Sequence, residues 1–376
     1  MNKLNATYID SISNISEDVW AELGCEEDFY FNRGFLAVFE ATNQDIQQHY
    51  LLIEAHYKPI AIAVIQTMDV ALDNATENVP LSLRISRFIQ CYLNDRKLNV
   101  MVCGNVFLSG PYGLFVKKDV DETEVYDFLA GSLKKLKTTT KPSVFFMKDF
   151  GEIKLPAAQA SQNHQFQPFS VEPNMVLQLR WKDFESYKKS LKSKYRVKVN
   201  KADSRSENLE LRTLDAQQIL DHASILQRLY LNITDKAMFN AVELNVKIYA
   251  GLKERFRESI VFNTYWNDNT LVAFATAFKV GNRLEAHFIG LDYQQNKELA
   301  LYPRILNDYV RLGLFLGVKE VNLGRTASEI KSTLGAEPEY LVCFVKHRRT
   351  VANLIFKPLI RQLKMTEYKQ HQPFKK

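Results

Sequence analysis

Residues 284–338 read LEAHFIGLDYQQNKELALYPRILNDYVRLGLFLGVKEVNLGRTASEIKSTLGAEP, and this stretch decides the fold. It opens with a short apolar run, 284–291, that is typical of a β-strand. From 303 to 316 the apolar residues recur at helical spacing, and Pro303 suits a first helical turn because proline lacks an N–H. Residues 318–323 return to a strand pattern that Gly324 ends. The stretch therefore predicts a strand–helix–strand unit, and α/β sheets usually hold their ligand in the loop after the first strand.

Length and composition indicate a globular protein with two domains. The chain has 376 residues, of which 46% are hydrophobic and 24% charged, and a single core of that size is unusual. The formal charge of +6 is compatible with an anionic ligand but is too modest to indicate nucleic-acid binding by itself. The four cysteines are widely spaced and the seven histidines lack HxH or HxxxH spacing. We therefore expect reduced core thiols and no metal site.

The two ends of the chain predict a cytoplasmic protein. The first 20 residues lack the apolar core of a signal peptide, and no run approaches the roughly 18 apolar residues that span a bilayer. Residues 351–365 mix apolar and basic side chains, which leaves a peripheral membrane contact open. Since Pro358 interrupts a clean amphipathic helix, packing of this segment against the second domain is the preferred expectation.

The order of predicted elements repeats along the chain. Each half has a hairpin (50–70 and 259–280), a strand (99–103 and 284–291), a helix (122–136 and 303–316) and a further strand (143–149 and 318–323). An extra helix at 81–95 would explain the unequal offsets, and 151–173 lacks helical periodicity and suggests a connection. We therefore predict an N-terminal domain at 1–170 and a C-terminal domain at 171–376.

This order of elements resembles the GNAT acyltransferase fold. Two copies in one chain, with a basic helix opening the second, resemble the Fem-type, peptidoglycan biosynthesis and recognition branch of that superfamily. The resemblance runs from about Phe35 onward and is carried by Tyr187, Leu191, Lys194, Tyr195, Arg196, residues 287–292 and 324–326, Lys331, Gly335 and Pro338. It implies an α/β (α+β) protein of two tandem GNAT-like domains, with mixed sheets flanked by helices and a degenerate first copy.

Residues 181–205 form a strongly basic segment, with nine Lys or Arg against three acids. Its apolar residues from Phe184 to Val199 fall at spacings of three and four, which predicts one helix with Asp183 near its N-cap. The segment is either a solvated helix or a binding surface for phosphate, pyrophosphate or a tRNA backbone. The comparable segment of Fem-type proteins lies beside the substrate cleft, so the resemblance implies substrate-binding roles for Lys194, Tyr195 and Arg196.

Three residues are predicted to act in catalysis. His287 and Asp292 are the titratable groups best placed to take a proton from an attacking amine, and their structural alternatives are a wall histidine and a turn residue. The Tyr302 phenol is a candidate donor to a leaving group, although such a tyrosine more often packs. The resemblance further implies that the strand ending at Gly290 aligns the acyl donor through its backbone.

The loop expected to hold the donor departs from the ordinary acetyltransferase pattern. In GNAT enzymes a glycine-rich loop at a helix N-terminus cradles pyrophosphate, but residues 293–300 contain no glycine. This puts standard coenzyme A binding in doubt, and the Fem-type branch takes aminoacyl-tRNA instead. The donor is therefore expected to be an acyl-CoA or an aminoacyl-tRNA.

Arg325 and Lys331 follow the second strand of the unit and are predicted to contact an anionic part of a substrate. Arg325 next to Gly324 can bind a carboxylate or a phosphate, with a structural ion pair as the alternative. In the first half, Gly104 and Asn105 end the matching strand, and residues 111–113 lie in the loop after it. We expect no chemistry there.

These observations predict an acyl- or aminoacyltransferase that moves an acyl group directly to an amine, in cell-wall precursor or related metabolism. No nucleophile elbow is present in the sequence, which agrees with direct transfer. The expected partners are a small-molecule or lipid-linked anionic substrate and tRNA. Two alternatives stay open: an acetyl-CoA-dependent GNAT N-acetyltransferase, and a non-catalytic module that recognises a cell-wall precursor or polysaccharide.

Overall fold

The structure is a computed structural model that describes residues 4–71, 97–136, 141–234, 242–362 and 367–375. Up to residue 178 the strands are β1 (Leu4–Ile9), β2 (Gln47–Ala55), β3 (Lys58–Ala71), β4 (Lys97–Cys103), β5 (Leu114–Val116), β6 (Val144–Phe150) and β7 (Gln167–Gln178). The helices of the same part are α1 (Glu17–Leu23), α2 (Arg33–Thr42), α3 (Glu122–Leu133) and α4 (Leu155–Ala158).

The rest of the chain begins with a run of helices, namely α5 (Phe184–Ser190), α6 (Ser193–Arg205), α7 (Ala216–Asp221), α8 (Ala223–Thr234) and α9 (Ile248–Phe256), with β8 (Glu210–Thr213) among them. The later strands are β9 (Ile260–Asn267), β10 (Thr270–Val280), β11 (Arg283–Leu291), β12 (Glu320–Asn322) and β13 (Glu337–His347). The later helices are α10 (Tyr293–Leu299), α11 (Leu301–Phe315), α12 (Ser328–Ser332) and α13 (Thr350–Gln362).

The predicted strand–helix–strand unit is confirmed as β11, α11 and β12. Both predicted hairpins are present, as β2 with β3 and β9 with β10. The helix predicted at 81–95 lies outside the described residues. The connection predicted at 151–173 is wrong in part, because it contains α4, a 3-10 helix at Gln159–His164 and the start of β7.

The single helix predicted from Phe184 onward is wrong, since the chain leaves the helical conformation at Leu191 and forms α5 and α6. Leu191 is extended and bridges to Phe374, while the Lys192 N–H bonds to the Pro373 carbonyl at 2.8 Å. This tertiary pairing replaces a helical turn without moving Leu191 out of the core. The predicted N-cap is confirmed, because Asp183 forms a capping box with Ser186.

The described chain divides into two compact units. The first comprises Met1–Val171, Met238–Leu244 and Tyr340–Met365, and the second comprises Glu172–Ala237, Asn245–Glu339 and Thr366–Lys376. This division differs from the predicted domains in two segments, Met238–Leu244 and Tyr340–Met365, which belong to the first unit. The second segment does so because β13 pairs with β6, as in the register Val342 to Phe150.

The first unit is built on a mixed sheet of strand order β1-β2-β3-β4-β6-β13, with β5 added against β3. Its strands are antiparallel except for β4 and β6, which are parallel and separated in sequence by α3. The α3 side chains Val125, Leu129 and Leu133 are buried against Ile65 and the strands beside it. The segment 351–365 was expected to pack on the second domain, and this is wrong for α13, whose Ile360 packs in the first unit.

The second unit repeats this arrangement with the order β7-β12-β11-β10-β9-β8. Its one parallel pair is β11 and β12, which are separated by α11. Ile289 and Leu291 of β11 pack into the core formed with α6 and α11. Phe288 lies on the side of the sheet that α8 covers, with its ring 5.3 Å from that of Tyr230. The strands of the two units pair in the same order, which supports the repeat predicted from the sequence.

Within the described residues, no helix is both long and apolar enough to span a membrane.

Candidate functional site

A β-bulge in the second unit determines where the predicted base lies. The register between β10 and β11 shifts between Ala275 and Ala277, so that Thr276 lies opposite two residues, His287 and Phe288. A bulge of this kind bends the strand and re-aims the side chains at the extra residue. The half-buried His287 ring consequently packs against Phe288, with 4.6 Å between the ring centroids.

A chain of hydrogen bonds then orients the His287 ring. Its Nδ1 lies 2.7 Å from the Tyr249 hydroxyl, and that hydroxyl accepts from Thr276 Oγ1 at 3.0 Å. Thr276 Oγ1 also lies 2.7 Å from the Phe288 carbonyl, which is a second acceptor for its proton. Whether Nδ1 donates to Tyr249 or accepts from it depends on the tautomer of His287. In the Nδ1–H tautomer the lone pair lies on Nε2, where it can accept a proton.

Tyr249 is well suited to hold this position as a neutral hydroxyl. The side chain is fully buried, and burial raises its pKa well above the usual value. The phenol therefore stays protonated at any pH at which the protein works, and the orientation of His287 does not change with pH through Tyr249.

Next to His287, β11 loses its partner strand. Among the described residues, the parallel pairing with β12 covers only Arg283 to Glu285, while β11 continues to Leu291. Among the described strands, none pairs with this edge of β11 beyond Glu285, and extended ligands can add to a sheet at such an edge. Gly324, which follows β12, lies close to this edge of β11, since a Cβ on Gly324 would be 3.8 Å from the Ala286 carbonyl oxygen.

Glu285 lies where the parallel pairing ends and is absent from the predicted candidates. One carboxylate oxygen is 2.8 Å from Arg283 Nε and the other accepts from Asn322 Nδ2 at 2.6 Å. Burial raises the pKa of Glu285 to about 7, although Arg283 and Asn322 favour the ionised form. An acid inside an otherwise apolar strand is the sequence signal that could have found it.

Gly290 is required by packing. It pairs with Phe274, and a Cβ at this position would lie 2.2 Å from the Phe274 ring and 2.8 Å from the Leu229 backbone. The glycine therefore lets α8 approach β11 closely. The predicted contact of this strand with an acyl donor remains a prediction.

Asp292 and Tyr302 have structural partners in the fold. Asp292 is the N-cap of α10, where it accepts from the Gln294 N–H at 2.9 Å and from Gln295 Nε2 at 3.0 Å. The Tyr302 side chain packs against the core of the second unit, and burial raises its pKa. These positions favour the structural alternatives for both residues.

The region expected to be a donor loop, 293–300, is the helix α10, so that prediction is wrong. The helix forms because Asp292 caps it and because Ala300, with φ 49°, allows a left-handed turn into α11. The first turn of α11 finds its hydrogen-bond partner within the protein. The Tyr302 N–H bonds to Asn296 Oδ1 at 3.0 Å, and Pro303 has no N–H. An N-terminus capped in this way is a poor cradle for pyrophosphate.

Arg325 and Lys331 lie around a strained loop. Gly324, Thr326 and Ala327 all have positive φ, at 74°, 62° and 48°, and non-glycine residues adopt this conformation at a cost. The buried Lys331 ammonium donates to the Gly324 carbonyl at 3.1 Å and to the Arg325 carbonyl. Burial lowers its pKa to about 7, against the opposing effect of Glu172. Lys331 is thus placed to hold the loop, while Arg325 is half-buried within it.

The basic segment presents one row of cations, which we call the basic stripe: Lys194, Lys198, Lys201 and Arg205 of α6. These residues repeat at spacings of four, three and four, so they share one helix face, and all are exposed. None of them forms an ion pair within the described residues. Arg205 Nη1 donates to the Lys297 carbonyl at 3.3 Å, which joins the stripe to α10.

The other two predicted residues of this segment are half-buried. The Tyr195 hydroxyl lies 3.2 Å from His371 Nδ1, and His371 Nε2 lies 3.2 Å from Glu329 Oε1 on α12. The C-terminal segment 367–375 therefore connects α6 to the helix after Arg325. Arg196 is placed beside Tyr195. The predicted site residues thus form two groups, one at His287 and one at the start of α6 with α12.

The matching position in the first unit is filled by a side chain. Lys148 Nζ donates to the carbonyls of Asn105 and Leu108, and a Cβ at Gly104 would lie 2.7 Å from Lys148 Cγ. The buried Asp149 accepts from the same ammonium. The strand end of the first copy is therefore packed by Lys148 and Asp149, and the lack of chemistry there stays a prediction.

Comparisons with known proteins resolve the fold. No protein-family model and no curated protein sequence matches the chain. Solved structures match it over nearly its whole length. FemX matches with a TM-score of 0.54 at 10% identity, over 94% of this chain and 100% of that one. The chain has the tandem GNAT fold.

Two further solved structures share this tandem GNAT fold. The C-terminal domain of a putative lysylphosphatidylglycerol synthetase from Agrobacterium fabrum matches with a TM-score of 0.53 at 10% identity, over 92% of this chain and 96% of that one. A tandem GNAT protein from the clavulanic acid biosynthesis pathway matches with the same TM-score and identity, over 92% of this chain and 99% of that one. The predicted fold and the resemblance to the Fem-type branch are confirmed at the level of the fold.

Proposed function

We propose that this protein is an acyltransferase that transfers an aminoacyl group to an amine. The observation that carries the proposal is the position of His287, whose ring is held through Nδ1 at a bulge of β11, beyond the end of the pairing with β12. In the proposed tautomer Nδ1–H donates to Tyr249 and Nε2 carries the lone pair. A base oriented in this way next to a strand edge able to align a carbonyl is what direct acyl transfer needs.

In the proposed mechanism the amine attacks the donor's ester carbonyl and forms a tetrahedral intermediate. His287 Nε2 accepts the proton that the amine loses, while Nδ1–H continues to donate to Tyr249. The C–O bond of the ester then breaks, and the leaving hydroxyl recovers the proton from His287. The backbone of β11 beyond Glu285 holds the acyl part in an extended conformation.

Two features favour aminoacyl-tRNA over acyl-CoA as the donor. The first is the capped start of α11. Asn296 accepts from one backbone N–H there and Pro303 has none, so few N–H groups remain for a pyrophosphate to bind. The second is the basic stripe, whose cations recur about every 6 Å along α6, because a helix rises about 1.5 Å per residue. Such a row suits successive phosphates of a nucleic-acid backbone.

The acceptor proposed is an amine on a cell-wall precursor or on a related lipid-linked anionic substrate. One structural neighbour is named as a putative lysylphosphatidylglycerol synthetase, a name that denotes joining an amino acid to a lipid. The use of aminoacyl-tRNA would place the reaction in the cytoplasm. Asp292, Tyr302 and Gly290 support the site through the fold in this proposal, and Arg325 is retained as the contact for an anionic group.

Thermal-shift titration tests the choice of donor. Aminoacyl-tRNA is expected to raise the melting temperature saturably and acetyl-CoA to leave it unchanged, because a ligand stabilises only the state it binds. Replacing Lys198 and Lys201 by glutamine should weaken the effect of tRNA, with Lys182→Gln, an exposed lysine outside the stripe, as the matched control. Saturable stabilisation by acetyl-CoA alone would overturn the tRNA proposal and favour the acetyltransferase alternative.

A further inference from the structure

The helix α13 presents two large apolar side chains to solvent. Val351 is 73% exposed and Leu354 is 69% exposed. They lie three residues apart and therefore share one helix face with Lys357 and Pro358, which are also exposed. We call this set the α13 outer face. Exposed apolar side chains that adjoin one another and are rimmed by polar residues can mark an interaction site.

The opposite side of the helix is tied to the first unit. Asn353 donates to the Gln165 carbonyl at 2.8 Å and accepts from the His347 N–H at 3.1 Å. Ile360 packs with Val144 and Val345. The α13 outer face is consequently held in a fixed orientation, with its apolar side chains directed away from the core that anchors the helix.

The charged residues of the segment that carries the outer face all have one sign in the sequence. Residues 348–365 contain five Lys or Arg and no Asp or Glu. The exposed cations Arg349 and Lys357 lie on either side of Val351 and Leu354 along the chain. The surface therefore combines a small apolar patch with positive charge, and both match an anionic bilayer, where hydrocarbon lies directly below acidic headgroups.

We propose that the α13 outer face is a docking surface for an anionic lipid bilayer. The size of the patch favours a bilayer over a protein partner, because stable protein interfaces bury roughly 800 Å² on each side and two side chains supply much less. Val351 and Leu354 enter the boundary between headgroups and acyl chains, and Arg349 and Lys357 contact the lipid phosphates. Pro358 sits within the exposed face, where its missing N–H removes the helical bond to the Leu354 carbonyl. This inference is independent of the proposed reaction at His287.

Vesicle flotation of the full chain tests the proposal. The protein is mixed with vesicles of phosphatidylcholine alone, or with vesicles that contain 30% phosphatidylglycerol, at low and high salt. We expect binding to the anionic vesicles that falls as salt rises, and little binding to phosphatidylcholine. The double variant Val351→Glu/Leu354→Glu should bind about 30-fold more weakly or worse, since two apolar side chains leave the membrane. The double variant Arg349→Gln/Lys357→Gln should lose about fivefold for each charge.

The matched control is Phe315→Glu, which changes another exposed apolar residue, 86% exposed at the end of α11 in the second unit. It should bind as the wild type does. In the variant Leu354→Trp, the new fluorescence should shift to the blue on anionic vesicles. Circular dichroism confirms that each variant is folded. Equal binding by the wild type and the glutamate variant, or an unshifted tryptophan, would overturn the proposal. So would a wild-type dimer that the glutamate variant dissociates, because that outcome assigns the face to a second copy of the chain.

Discussion

Lys331→Met is the perturbation whose effect the structure defines most sharply. Lys331 is 3% exposed, and burial lowers its pKa from 10.5 to about 7 in the folded protein. In the unfolded chain the same group keeps its usual pKa. Between pH 7 and pH 10.5 the unfolded chain therefore carries a proton that the folded chain lacks, so the free energy of unfolding must rise with pH in this window.

The size of the effect follows from the shift. Each pKa unit corresponds to about 1.4 kcal/mol, so a shift of about 3.5 units amounts to about 5 kcal/mol over the whole window. The stabilisation is complete above pH 10.5, where the lysine is neutral in both states, and is lost as pH falls to 7. Methionine has a similar shape and no proton to bind. The difference in unfolding free energy between wild type and variant should therefore rise with pH.

The assay is urea denaturation at several pH values between 6.5 and 9.5, followed by far-UV circular dichroism. Relative to Lys331→Met, the wild type should gain about 1.4 kcal/mol for each pH unit above 7. The matched control Lys297→Met, at an exposed lysine of the same unit, should show no such trend. Parallel curves for wild type and Lys331→Met would refute the reasoning. They would mean that Lys331 keeps its charge in the folded protein and is able to bind an anion, as the sequence first suggested.

Three further outcomes follow from the site. In urea denaturation, Gly290→Ala should lower the free energy of unfolding by roughly 1–3 kcal/mol, because the added methyl overlaps the Phe274 ring and the Leu229 backbone. The control Gly151→Ala should be nearly neutral, since a Cβ there meets nothing closer than 3.7 Å. In the proposed tautomer, Tyr249→Phe should remove the acceptor of Nδ1–H, so that nitrogen-15 NMR of His287 shows a mixture of tautomers. An unchanged spectrum would contradict the proposed tautomer. Burial raises the pKa of the Glu285 carboxyl to about 7, so between pH 4.5 and 7 this group is ionised in the unfolded chain before it is ionised in the folded protein. The wild-type free energy of unfolding should therefore fall by up to about 3 kcal/mol as the pH rises through this window. Glu285→Gln should abolish that fall. An equal fall in the glutamine variant would show that the group is ionised in the fold.

The sequence predicts the fold well where the signal is local. The apolar run of β11, the helical spacing of α11 and the turn residues of both hairpins each decide a conformation within a few residues, and all of them are present. It fails at the segment after Ser190, because the break between α5 and α6 is made by pairing with Phe374, far along the chain. The membership of β13 in the first unit has the same cause, since strand pairing at long range leaves no local pattern.

The site is predicted less completely than the fold. His287 is placed correctly on a strand, but the bulge that orients it depends on the register with Thr276. Tyr249, on a helix before the hairpin, could not be connected to His287 from spacing alone. The sequence suggested an anion contact for Lys331 because it follows a strand end together with Arg325 and adds a positive charge there. Only the fold shows that its ammonium is buried among carbonyls.

The most direct test of the central claim is a transfer assay with a labelled aminoacyl-tRNA pool and an amine-bearing envelope extract. The wild type should move the label into a base-stable amide. His287→Asn should lower the rate by at least about 100-fold, as expected for loss of a general base. His222→Asn, at a histidine of the same unit whose ring packs on Trp266, should leave the rate unchanged. Full activity of His287→Asn, or a wild type that transfers nothing from either aminoacyl-tRNA or acetyl-CoA, would contradict the account.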